Sequence, residues 1–495
     1  VAFKVGRKIM NNNRVGMQFP NELTFKGYAA PVRIEGHVHD LEVIGCIPPE
    51  LEGTYYRNSA DHTYKPLHPN DIFLNGDGMV HMVRFEQGHA DLTTRFVRTK
   101  KFELERQARR ALFGSYRNPF TSSEAVREED HNTANTSVML LNKKLYALKE
   151  SGRPYEIHPD DLTTIGETDF NGQLTSQTFT AHPKFDPKTG ECIAFAYNCE
   201  GVASDEIEVY IINKEGKFTS SERFKAPYCS MVHDFLVSEN YIAFVICPMV
   251  CDWDRVKKGE PYWHWDNTKD THIAVIPRKE GVAGIRWFTS PKIAMQTHTF
   301  NAWEDGDKLV LEHFVNESGW LSQFPDIHNP DAHELPPFGE RWIVDLSGNR
   351  DSVEIKRFIN HIGEMPVIDA RFAMQRTRHF WFGTSNKELG PMLEPGPKGP
   401  PFTCLGHFDE QENHLDFYYA GPNSAPEEPC FVPRSSDAEE GDGWLLSMVG
   451  RRDENRTDLV ILDARNLSQG PVAIVKFPCR VHEGFHGIWV PSTQK

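Results

Sequence analysis

No apolar run in this 495-residue chain approaches the ~20 residues that a membrane-spanning helix requires. A helical membrane span is therefore excluded. A basic surplus is also missing. Lys and Arg number 54 against 70 Asp and Glu, for a net charge of −16, which disfavours a nucleic-acid partner because a phosphate backbone needs a positive surface. Nine cysteines are present without a Cys-x-x-Cys, so the usual zinc-ribbon and dithiol spacings are absent. Several, such as Cys192, Cys247 and Cys479, lie in or beside apolar runs. Scattered buried thiols of this kind predict a reduced, cytoplasmic protein. The first 20 residues carry Lys4, Arg7, Lys8 and Arg14 and no acid, but they lack the apolar core of a signal peptide. The Asn-x-Ser/Thr sequons at Asn135, Asn316, Asn455 and Asn466 are then read as chance matches. No strict repeat of the WD type is visible, so periodicity sets no blade count. Nothing in the sequence sets the oligomeric state.

What is abundant is short β-branched or aromatic runs separated by turn residues. Examples are 144–149, 192–197, 241–246, 308–312, 342–345, 414–419, 444–448 and 459–462. Asn-Gly at 75–76 and 171–172, and Asp-Gly at 77–78, 305–306 and 442–443, suit the positive φ of tight hairpin turns. Many short strands over this length predict an all-β propeller or large barrel. We read one domain over 1–495, with an N-terminal arm over about 1–30. One helix is predicted, over 102–113 and ending at Gly114, from its good helix formers and the spacing of Leu104, Ala108, Ala111 and Leu112. It lies in a basic stretch in which Arg95, Arg98, Lys100, Lys101, Arg106, Arg109, Arg110 and Arg117 face only Glu103 and Glu105. That stretch reads either as a solvated helix face or as a membrane-surface contact with Phe102, Leu112 and Phe113 as anchors. Loops at 251–269, 317–340 and 386–402 are long enough to suggest function, such as roofing a pocket.

Twenty-two histidines are present, so number alone singles out none. Four sit in distinctive surroundings: His182 in Thr-Ala-His-Pro-Lys-Phe-Asp, His233 in Met-Val-His-Asp-Phe, His298 in His-Thr-Phe-Asn-Ala-Trp-Glu and His486 in Gly-Phe-His-Gly. Separations this wide exclude a shared helix or hairpin. They allow the four to meet if each belongs to an inner strand of a different propeller blade. In this order the four motifs resemble those of the carotenoid cleavage oxygenase family. The likeness runs from Arg33-Ile-Glu-Gly and Asn75-Gly-Asp-Gly-Met to the His486 motif.

The resemblance implies a seven-bladed β-propeller with a helical and loop cap over an axial metal site. It implies that His182, His233, His298 and His486 bind Fe(II), which imidazole suits. It implies that Glu150, Glu364 and Glu428 orient His233, His298 and His486 in turn, leaving His182 without a carboxylate; His482 is the rival for the fourth ligand. Tyr116 and Lys149 resemble the pair that holds a substrate phenol in the lignostilbene dioxygenase and isoeugenol monooxygenase branch. Lys149 and Glu150 are adjacent, so both can face the interior only if their strand ends or bulges there. The implied activity is an Fe(II) dioxygenase using O2 to cleave the side-chain double bond of 4-hydroxystyrene-type phenolics. Hydroxystilbenes such as resveratrol or lignostilbene, isoeugenol and 4-vinylguaiacol would be substrates, and aldehydes such as vanillin the products. The competing readings are an apocarotenoid-cleaving oxygenase and a non-catalytic propeller binding scaffold.

Overall fold

The computed structural model describes residues 17–494, except 320–322, 330 and 332–334. The N-terminal arm is therefore described only from Met17 onward. The chain folds as a seven-bladed β-propeller. Five blades are four-stranded antiparallel meanders, four of them built from consecutive strands and the fifth interrupted by the hairpin Met249–Cys251 and Trp263–Trp265. In one of them Lys184–Phe185, Cys192–Tyr197, Glu206–Ile212 and Phe218–Lys225 follow one another outward. Burial falls in the same direction. Cys192–Tyr197 is buried throughout, whereas Phe218–Lys225 mostly alternates between half-buried and exposed, as expected of a strand packed on one face only.

The remaining two blades close the ring by mixing the two ends of the chain. Gly484–Pro491 is the innermost strand of a sheet that continues through Gly53–Asp61, Asp77–Glu86 and His89–Phe96 to Gly36–Val38. Next to it, Glu42–Gly45 adds an outer strand to Pro471–Lys476. Each closing blade is thus held by backbone hydrogen bonds between residues more than 400 positions apart, and the edges that an open sheet would expose are paired. Aromatic packing fills the space between blades. The ring of Phe235 lies 4.8 Å from Phe195 and 5.4 Å from Phe244.

The structure corrects several local expectations. The helix runs over Lys100–Ala108, one turn earlier than predicted. Thr99 caps its start by accepting from Phe102 N–H, and Arg109 ends it at φ 54°. The Glu105 carboxylate then accepts from Leu112 and Phe113 N–H, which holds 112–113 outside the helical ladder. Phe102, Leu112 and Phe113 are all buried, so none is a membrane anchor. The basic stretch is not one surface either. Lys101 is buried between Asp77 (2.7 Å) and Glu105 (3.0 Å), and Arg117 is buried beside Tyr197 (2.7 Å). Of the five Gly-containing dipeptides, 171–172 and 305–306 are turns with positive φ at glycine. Asn75 ends a 3-10 turn, and Gly78 and Gly443 lie in strands. A Cβ at Gly78 would meet Ala134 O at 2.3 Å and one at Gly443 would meet Val432 O at 2.2 Å. Those two glycines serve close backbone approach. The 251–269 loop contains a short helix, Trp253–Lys257, and a strand, Trp263–Trp265. No helix among the described residues is long and apolar enough to cross a membrane.

The buried Lys101 cation yields a stability prediction. Lys101→Met leaves Asp77 and Glu105 uncompensated in the interior, at a cost of about 3–5 kcal/mol. Urea melts of the variant should show a clearly lowered midpoint at unchanged slope; an unchanged midpoint would contradict this role.

Candidate metal centre and adjoining cavity

The four singled-out histidines come together on the propeller axis. His182 lies just before the inner strand Lys184–Phe185, and His233 just before Leu236–Val237; His298 lies within Met295–Asp305, and His486 within Gly484–Pro491. The pairing register of Met295–Asp305 shifts on both sides of Thr299, and irregularities of this kind re-aim a side chain. One ring nitrogen from each of the four lies within 4.8 Å of the others. Nε2 of His233 is 3.1 Å from Nε2 of His182 and 3.1 Å from Nε2 of His298.

Three carboxylates fix these rings from behind. Glu150 is 2.5 Å from His233 Nδ1, Glu364 is 2.6 Å from His298 Nδ1, and Glu428 is 2.7 Å from His486 Nδ1. Among the described residues no carboxylate bonds His182; its backbone N–H donates to Thr180 Oγ1 at 2.9 Å. A carboxylate at Nδ1 makes that nitrogen the donor and leaves the Nε2 lone pair facing inward. Inward lone pairs 3.1 Å apart repel unless a cation lies between them. Two nitrogens about 2.1 Å from one ion and at right angles are about 3.0 Å apart, which matches the observed spacing. The donor set therefore fits a divalent transition-metal ion. Burial pushes the His486 imidazole down to about 4, against the pull of Glu428. Burial and the three neighbouring imidazoles hold His182 well below its ordinary value. Both are neutral at pH 7, as ligands must be.

The carboxylates are themselves held. Tyr197 donates to Glu150 Oε1 at 2.6 Å, and the Arg117 guanidinium lies 3.8 Å from the same oxygen. Glu428 Oε2 accepts from Arg57 (3.1 Å) and from Gly487 N–H (3.0 Å). Burial alone would raise both acids; His233 with Arg117, and His486 with Arg57, hold Glu150 and Glu428 below the usual carboxylate range instead. Sequence reasoning missed Arg57, Tyr197 and this role of Arg117. The available signal was a charged or hydroxylated residue inside an otherwise core-like strand, such as Arg57 in Thr-Tyr-Tyr-Arg-Asn-Ser-Ala.

A cavity of about 220 Å³ adjoins the cluster, below the usual ~300–1,000 Å³ of ligand pockets and so sized for one small molecule. His233, His298 and His486 form part of its wall, and Tyr116 and Lys149 another part. The strand Lys144–Leu148 ends just before Lys149, and a turn closed by Gly152 N–H on Lys149 O (3.1 Å) follows. That ending lets Lys149 enter the cavity while Glu150 reaches His233. Lys149 Nζ lies 5.1 Å from the centre of the Tyr116 ring and contacts Leu74 O (2.9 Å) and Asn135 Oδ1 (3.0 Å). Burial lowers the Lys149 amine to about 7, although Glu150 pulls it upward. Burial raises the Tyr116 phenol. Asn135, one of the sequons, is fully buried in this contact. Of the long loops, 386–402 supplies cavity wall at 396–402, whereas 317–340 only backs that wall, with the Phe324 ring 6.1 Å from Tyr116. His482 stands outside the cluster, with Nε2 3.3 Å from Ala29 O. His37 and His39 sit near Asp91 on an exposed blade edge.

Comparison with known proteins agrees with this geometry. The sequence profile described as retinal pigment epithelial membrane protein matches residues 29–491. The chain belongs to the carotenoid cleavage oxygenase family. It is 40% identical over 474 residues to the isoeugenol monooxygenase of Pseudomonas nitroreducens, covering 95% of this chain and 98% of the relative. It is 38% identical over 482 residues to the lignostilbene-alpha,beta-dioxygenase isozyme III of Sphingomonas paucimobilis, covering 96% and 98%. The crystal structure of Pseudomonas brassicacearum lignostilbene dioxygenase superposes with a TM-score of 0.91 at 35% identity, covering 96% of this chain and all of that one. The protein is thus an enzyme of the oxygenase type that this family comprises.

The carboxylate contacts lead to a binding prediction. Glu150→Ala, Glu364→Ala and Glu428→Ala should each weaken divalent-metal affinity about 10–100-fold, measured by competition with a chromogenic chelator. Wild-type affinity in all three would contradict the assignment.

Proposed function

We propose that the protein is an Fe(II)-dependent alkene-cleaving dioxygenase acting on 4-hydroxystyrene-type phenolics. His182, His233, His298 and His486 hold the iron; Glu150, Glu364 and Glu428 orient three of them. Hydroxystilbenes such as resveratrol and lignostilbene, isoeugenol and 4-vinylguaiacol are the substrate class, and aromatic aldehydes such as vanillin the products. One C=C bond and one O2 become two C=O groups. The observation that carries this reading is the buried Lys149 amine beside Tyr116 in the cavity that the histidines line. The relatives named above, with their isoeugenol and lignostilbene activities, support it. A cavity of this size and the burial of Phe102, Leu112 and Phe113 favour a small phenol over a membrane-extracted apocarotenoid. All nine cysteines are free, in keeping with a reducing cytoplasm.

The Lys149 contacts suggest how a phenol is activated. A neutral amine has two N–H groups and one lone pair. Leu74 O and Asn135 Oδ1 take the two N–H groups, so the lone pair is left for the substrate. It accepts the proton of the 4-hydroxyl, and the new ammonium then pairs with the phenolate, a charge-assisted contact that burial strengthens. Tyr116 forms the neighbouring wall and is kept protonated by burial, so its hydroxyl is a donor to the same oxygen. The phenolate pushes electron density through the ring onto the alkene next to the histidine cluster. The chemistry that a bound ferrous ion supplies there is the activation of O2.

Aerobic incubation of iron-loaded protein with resveratrol, isoeugenol and an apocarotenal tests the substrate class. Aromatic aldehydes are expected. Cleavage of the apocarotenal alone would overturn the phenolic reading and leave Tyr116 and Lys149 as structural residues. Lys149→Ala should keep its iron and lose most turnover; wild-type turnover would sink the phenolate step.

The pH dependence follows from one proton shared between Lys149 and the phenol. Below about 7 both groups are protonated, and the amine has no lone pair to offer. Above about 10 both have lost the proton, and no ammonium remains to hold the phenolate. kcat/KM should therefore rise as pH increases through about 7 and fall above about 10. Lys149→Met should lose the acidic limb; retention of that limb would assign it to another group.

A further inference from the structure

A second lysine, half-buried, lines the cavity and is not used by the phenol chemistry. Lys398 lies on the loop 386–402, in the wall segment 396–402. Its Nζ donates to Gly484 O at 3.2 Å and sits 4.3 Å from the centre of the Phe485 ring and 5.6 Å from that of Phe73. Among the described residues this is its only hydrogen bond, and no carboxylate lies within ion-pair distance of it. An ammonium has three N–H groups, so two are left without a protein partner among the described residues. The nearest acids are already engaged. Glu427 accepts from Arg57 (2.6 Å) and from Gly484 N–H (3.0 Å), while Glu483 pairs with Arg452 (3.3 Å).

Lys398 is also distinct from Lys149. The charges acting most on Lys398 are Glu483, Glu427 and Arg57, whereas those acting on Lys149 are Glu150, Arg117 and Lys101. Lys398 lies against Gly484 and Phe485, next to His486; Lys149 lies against Leu74 and Asn135, next to Glu150. A cavity of about 220 Å³ therefore offers two separate lysines, of which Lys149 serves the phenol. A propenylphenol uses only one of them, because beyond its double bond it has a methyl group. A stilbene has a second ring there.

We propose that Lys398 is a specificity-determining residue that binds an anionic substituent on the far ring of the substrate, and that the favoured substrate class is a 4-hydroxystilbene whose second ring carries a carboxylate. The inference rests on the cavity being the phenolic-alkene site. Within that site, a carboxylate takes the two free N–H groups of Lys398, and the second ring packs against the contacting Phe73 and Phe485 rings. Charge-assisted hydrogen bonds to an ammonium distinguish a charged group from its neutral isostere.

The test is a binding measurement, so it does not depend on turnover. Iron-loaded protein under argon is titrated with 4-hydroxy-4′-carboxystilbene and with the corresponding 4′-carboxamide, followed by quenching of tryptophan fluorescence. Wild type should bind the carboxylate about 10–100-fold more tightly than the amide. Lys398→Met should lose that preference and Lys398→Arg should keep most of it, with iron content and thermal midpoint reporting that each variant is folded. Equal binding of the two compounds by wild type, or an undiminished preference in Lys398→Met, would overturn the proposal. Admission of oxygen then separates the two readings: discrimination by Lys398 without aldehyde formation would sink the cleavage activity alone, and aldehyde formation without discrimination would sink the role of Lys398 alone.

Discussion

The Nε2 atoms of His233 and His298, each on a ring whose Nδ1 faces a carboxylate, meet at 3.1 Å, and two lone pairs in such a contact repel. The rest of the molecule is organised around making it tolerable. The seven inner strands converge so that four of them, or the residues just before them, can deliver one imidazole each. Glu150, Glu364 and Glu428 then fix the tautomer of three rings. Arg57, Arg117 and Tyr197 keep two of those carboxylates charged and in place. A divalent ion at the centre would convert the repulsion into coordination, and the acids behind the imidazoles would offset its charge in the low-dielectric axis.

Substrate recognition grows from the same construction. Because Lys144–Leu148 ends one residue before Lys149, two adjacent side chains can take opposite tasks: Glu150 turns to the metal ligands and Lys149 to the cavity. Burial that would penalise any charge lowers the Lys149 amine to about 7, which is where a base for a phenol is effective. Lys398 faces the same cavity from another segment of the chain, with most of its hydrogen-bonding capacity unused. The residues proposed to hold iron, the phenol and the far substituent thus come from three different parts of the ring.

The constellation of histidines and glutamates was legible in the sequence because each lies in a distinctive motif. The ending of the strand at Lys149 was legible as a geometric requirement of two adjacent residues, Lys149 and Glu150, both facing the interior. What was not legible depends on tertiary contact. Glu105 reaches forward to cap Leu112 and Phe113, so the helix stops at Ala108 although its propensity continues. Gly78 and Gly443 read as hairpin turns, but they are glycines because a neighbouring backbone carbonyl lies where a Cβ would be. The basic run looked like one surface, yet Lys101 and Arg117 turn inward to buried acids while Arg106 and Arg110 face solvent. Nothing local to Gly-Pro-Lys-Gly-Pro marks Lys398 as a lysine inside a cavity.

Coordination of one ferrous ion by four imidazoles from four blades is tested most directly by X-ray absorption at the iron edge on protein loaded with Fe(II) under argon. A nitrogen shell near 2.1 Å with the outer-shell scattering of four imidazoles is expected, and one imidazole fewer in His182→Ala, the variant whose ring has no carboxylate support. A shell dominated by sulfur or by carboxylate oxygen, or an unchanged spectrum in His182→Ala, would contradict it.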